Sequence, residues 1–102
     1  MNVRWWRVAL IYEDDGAPHT RTFHARALTE KRALALVAER MQRDDFFVYG
    51  CHPSDPLPTA PKDETIVADW GPYERSWDDP SVAALRSTLY AVRHKPGVER
   101  RA

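Results

Sequence analysis

Residues 3–12, VRWWRVALIY, constrain this chain most, because both faces of a strand drawn through them are apolar. Strand side chains alternate with period two. One register carries Val3, Trp5, Ala9 and Ile11, the other Trp6, Val8, Leu10 and Tyr12, and only Arg4 and Arg7 interrupt them. A strand with one solvated face alternates apolar with polar. This one reads as a central strand, covered on both sides.

The flanking sequence supplies its neighbours. Glu13, Asp14, Asp15 and Gly16, with Pro18 behind them, make a hairpin turn, since Asp-Gly accepts positive φ. Residues 19–27 form the second arm, with Phe23, Ala25 and Ala27 on a dry side and Thr20, Thr22, His24 and Arg26 on a wet one, as in a half-exposed edge strand. Thr29 is a good N-cap for a helix over residues 30–43, whose buried stripe is Leu34, Val37, Ala38 and Met41. The aromatic run FFVYGC, residues 46–51, reads as a third strand. A strand, helix, strand crossover sets the third strand parallel to the second. Placing the first strand between them explains its two apolar faces and gives the order 2-1-3.

Pro53, Pro56, Pro58 and Pro61 make residues 52–62 a semi-rigid connector, because proline removes the N–H that a ladder needs. Residues 65–70 suit a short fourth strand at an edge, stopped by Gly71 and Pro72. Asp78, Asp79 and Pro80 open a second helix with the stripe Val82, Leu85, Leu89 and Val92, ended by Pro96 and Gly97. The expectation is a small α+β domain over residues 1–95 with its C-terminal helix packed on the sheet, and a flexible tail, 96–102.

At 102 residues such a chain buries roughly 65% of its unfolded surface in one core. Fifteen basic and fifteen acidic residues cancel, so no global field draws nucleic acid or membrane. The charges are nonetheless segregated: residues 55–79 hold seven acids against two bases, and residues 86–101 five bases against one acid. The lone Cys51 forms no internal disulfide, and the start of the chain has no signal-peptide core, which suits a reducing, cytoplasmic setting. No run approaches the roughly 20 apolar residues of a membrane helix. Twelve arginines against three lysines, with thirteen alanines, fit codon bias in a GC-rich genome.

Catalytic constellations are weak. Cys51 and His52 are strand neighbours and point to opposite faces, leaving a more distant partner such as His24 for any thiolate chemistry. His52, Ser54 and Asp55 spell a triad only in letters, because a triad is defined by geometry. His19, His24, His52 and His94 are scattered without metal-ligand spacing, and there is no glycine-rich phosphate loop. The expectation is a non-enzymatic protein without cofactor or metal.

Two binding surfaces remain. The first is the acidic aromatic segment, residues 63–79, where Asp69, Trp70, Tyr73, Glu74, Trp77 and Asp78 suit anchors and an acidic rim for a protein with a basic surface. An open second-strand edge, residues 20–26, adds a route to a homodimer. That reading favours a small accessory or inhibitor protein of a bacterium or its virus, such as a blocker of host defence. The alternative is single-stranded DNA or RNA on the hairpin, where Trp5, Arg7, Thr22, His24 and Arg26 mix an aromatic with cations. It requires Trp5 to escape cover by the second helix or the proline-rich segment.

Overall fold

The computed structural model describes residues 3–56 and 63–93. The connector's residues 57–62 and the expected tail, 96–102, lie outside them. Four strands, β1 (Arg4–Asp14), β2 (Ala17–Ala27), β3 (Phe46–Pro56) and β4 (Thr65–Glu74), form one antiparallel sheet in the order β3-β1-β2-β4. Three helices among the described residues, α1 (Glu30–Met41), α2 (Pro80–Ala83) and α3 (Arg86–Arg93), make the fold α+β. None of these helices is long and apolar enough to cross a membrane.

The doubly apolar β1 lies inside the sheet, between β2 and β3. Asp15 and Gly16 both take positive φ, 52° and 76°, and close the β1–β2 hairpin. On one face Trp6, Val8, Leu10 and Tyr12 join Phe23, Ala25 and Ala27 under α1, where Ala33 and Val37 are buried. Full burial of a residue such as Phe23 or Leu10 contributes about 1.5–3 kcal/mol. Trp6 keeps its polar atom satisfied, Nε1 donating to the Ala27 carbonyl at 3.1 Å. On the other face Ile11 packs with Val82 and Leu89, closed by Phe47, Trp77 and Leu85.

Several expectations need correction. The second strand is not an edge: β4 pairs along it from His19↔Glu74 to Arg26↔Thr65, so the expected homodimer edge is occupied within the chain. The central order 2-1-3 stands, with β4 added beside β2. Strand β4 does not stop at Gly71 but runs through it to Glu74. β3 takes in Pro53 and Pro56, which is tolerable because β3 ends the sheet and needs no outward N–H there. Thr29 caps α1 as expected, Oγ1 accepting from Arg32 N at 3.2 Å. The stripe of α1 is turned toward Ala33 and Val37, however, leaving Ala38 exposed. The second helix is split at residues 84–85 into α2 and α3, with Asp79 as its cap.

Glu64 ties β4 to the start of α1, pairing with Arg32 and accepting from the Leu28 N–H at 2.8 Å. The Arg32 guanidinium, and then the Leu28 N–H, hold its carboxyl below the ordinary 4.5. With the folded pKa below the unfolded one, this contribution is complete above the unfolded value and is lost as pH falls through the folded value. Glu64→Gln should therefore melt earlier than the parent at neutral pH. The gap should close as acid protonates the parent; a gap that stays constant between neutral and about pH 3 would contradict the assignment.

Candidate functional site

Among the described residues, the face opposite α1 is covered at one end, by α2 and α3 over Ile11 and Phe47. At the other end the strand register places Trp5 beside Arg26, Arg7 beside His24 and Ala9 beside Thr22, with His52 across from Arg7 on β3. From β4, Ala68 adjoins His24, Trp70 adjoins Thr22 and Tyr73 adjoins Thr20.

Trp70 and Tyr73 share that face because β4 is irregular. Residues three apart in a regular strand point to opposite faces. Here Thr20 pairs with Tyr73 and Thr22 with Trp70, so one β2 residue stands against two on β4, a bulge at Gly71 and Pro72. Gly71 has φ +108°, and a Cβ there would lie 2.8 Å from the Thr20 carbonyl oxygen. The bulge therefore depends on glycine.

The result is an aromatic row. The Trp5 and His24 rings meet edge to face at 5.7 Å, and the His24 and Trp70 rings at 4.6 Å. Trp70 and Tyr73 are 43% and 50% exposed. Arg7, Thr22, His24, Trp70 and Tyr73 line an open groove of about 420 Å³, with no carboxylate among the described residues of its wall. Arg7 is exposed and has no ion-pair partner among the described residues. At the groove's end Arg75 lies over the Tyr73 ring, its Cζ 5.4 Å from the centroid, and donates from Nε to Thr20 Oγ1 at 2.8 Å.

The acidic aromatic segment is divided by the sheet. Asp69 sits on the α1 side, bonded to Arg21 at 2.7 Å and 3.6 Å from Arg40. Glu74 reaches the same side, 4.0 Å from His19, whose ring stacks on Tyr12. Trp77 joins the second core cluster, its Nε1 donating to the Gly16 carbonyl at 2.9 Å and its ring under Arg86. Asp78 is exposed in the turn before α2. Asp63 pairs with Arg26 at 3.0 Å. The acids are thus largely engaged within the chain and do not rim the aromatics. The chain matches no family model, no curated protein and no solved structure.

The residues expected for single strands, by contrast, lie together: Arg7, Thr22 and His24 in the groove, Trp5 and Arg26 beside it. They are joined by Trp70 and Tyr73 from the other expected surface. Arg75 was not expected; Gly and Pro inside an otherwise strand-like run are the signals of a bulge that would have brought it in.

Among the described residues nucleophilic chemistry finds no such assembly. Cys51 pairs with Val8 and packs against the α1 core, across the sheet from His24. Burial, and then the negative charge of Glu30, push its thiol up from the ordinary value, which disfavours the thiolate. Among the described residues no three His, Cys, Asp or Glu side chains gather to hold a metal.

Proposed function

We propose that the open sheet face binds single-stranded nucleic acid, with bases stacked on Trp70 and Tyr73 and phosphates held by Arg7 and Arg75. The observation that carries this is the groove lined by Arg7, Thr22, His24, Trp70 and Tyr73, which combines exposed rings with a cation and, among the described residues, no carboxylate. Every base has a π-face, and stacking on an aromatic side chain contributes about 1–3 kcal/mol per base. A flat sheet offers rings that an unpaired strand can reach and a duplex, with its bases stacked inside, cannot. The role is one of binding and shielding, without covalent chemistry.

A chain of zero net charge should make few phosphate contacts, so binding should depend on salt only moderately. Each phosphate contributes about −0.7 to the slope of log affinity against log salt for single strands. Titrating the protein with a short oligouridylate at low ionic strength should quench tryptophan fluorescence saturably. Arg7→Ala should weaken binding and make the slope shallower by about 0.7. Absence of quenching and of any anisotropy change on labelled oligonucleotide at low salt would overturn the proposal.

A further inference from the structure

Next to the groove lies a second hollow of about 480 Å³. Its lining includes Tyr49, Asp79, Ser81, Val82 and Leu85, and it reaches Thr20 and Arg75. Arg75 also covers Tyr73 of the groove, so the two depressions meet at one guanidinium. Resting on the single-strand reading above, we infer that this second hollow is a nucleobase site on the same track, selective for guanine.

Three features favour this ligand. Tyr49 is the extra residue of a β3 bulge, since Gly50 pairs with Ala9 and Val48 with Leu10, and its ring is 45% exposed. Bulges re-aim side chains in this way, and the ring offers a base a stacking partner above the apolar Val82 and Leu85. Second, Asp79 and Ser81 present adjacent acceptors. Asp79 Oδ1 accepts from Ser81 N at 2.9 Å and from Ser81 Oγ at 2.8 Å, and neither of these bonds uses Oδ2. Because the Ser81 hydroxyl spends its proton on Oδ1, its oxygen can serve a ligand only as an acceptor, next to the carboxylate. Guanine carries two adjacent donors, N1–H and the N2 amino group, on its Watson–Crick edge. Adenine, cytosine and uracil each set an acceptor against at least one of those positions. Third, Arg75, at the boundary, uses Nε on Thr20, and its guanidinium stands where it can meet the phosphate linking this base to its neighbour in the groove.

The test compares a short oligouridylate with the same oligomer carrying one guanosine at either end, by fluorescence anisotropy. The protein should prefer the guanosine oligomer by about tenfold, the range of a good two-donor base contact. Asp79→Asn keeps the helix cap, because Asn caps as well as Asp, but puts an amide donor beside the base. It should abolish the preference without weakening oligouridylate, since it removes a negative charge near Arg75, and Tyr49→Ala should weaken both oligomers, the guanosine one more, because every base stacks. Equal affinity for both oligomers in the parent, or a preference that survives Asp79→Asn, would overturn the guanine site while leaving the sheet-face reading intact. Failure of both oligomers to bind would overturn the two together.

Discussion

Gly71→Ala should cost the protein most of its single-strand affinity, although residue 71 has no side chain with which to touch a ligand. At φ +108° alanine is strained by about 1–3 kcal/mol. The added Cβ would also meet Thr20 O at 2.8 Å and Tyr73 N at 3.2 Å, both backbone atoms that no rotamer change can move. The strain is relieved by losing the bulge, and a one-residue slip sends a strand's side chains to the opposite face. Either Trp70 or Tyr73 then leaves the groove. We expect a melting temperature lower by several degrees, since about 1 kcal/mol corresponds to about 4–8 °C in a domain of this size. Oligouridylate affinity, measured well below the melt, should fall by at least about tenfold, the loss of one stacked base. A variant that melts lower but binds as tightly as the parent would separate the bulge from the site and contradict this account.

Trp70→Ala should have a comparable effect on binding with little effect on folding. The ring is 43% exposed, belongs to neither core cluster, and meets His24 edge to face. Its removal should reduce affinity about tenfold by loss of stacking, with a stability change near the ±0.5 kcal/mol typical of surface positions. Trp70→Phe should recover most of the binding. Trp77→Ala gives the opposite pattern, because that ring closes the cluster of Ile11, Val82 and Leu89 and bonds to Gly16. It should destabilise the fold and leave the affinity of the remaining folded protein close to that of the parent. The two tryptophans are separated by titration and thermal melts on the same samples; parallel behaviour in both assays would contradict the placement.

Much of the fold is legible in the sequence because its local signals agree. The doubly apolar register of residues 3–12, the Asp15-Gly16 turn and the Thr29 cap each point to the element that forms. Strand β4 was half legible, since Gly71 and Pro72 read equally as a terminator or as a bulge, and only the pairing with β2 decides between them. The same ambiguity hid the site. Counting in twos along residues 63–79 puts Trp70 and Tyr73 on opposite faces, whereas the bulge puts them on one. The segment's acids looked available as a rim because their partners are distant in sequence: Arg21 and Arg40 for Asp69, Arg26 for Asp63, Arg32 for Glu64. Composition counts such charges but not their pairing.

The central claim is that the sheet face opposite α1 is the binding surface, and amide chemical-shift mapping of the labelled protein with unlabelled oligouridylate tests it most directly. Saturable shifts should cluster at Arg7, Thr22, His24, Trp70 and Tyr73 and at the Trp70 indole, while Ala33, Val37 and Asp69, on the α1 side, stay in place. Shifts concentrated on the α1 side, or none at any residue, would contradict the account.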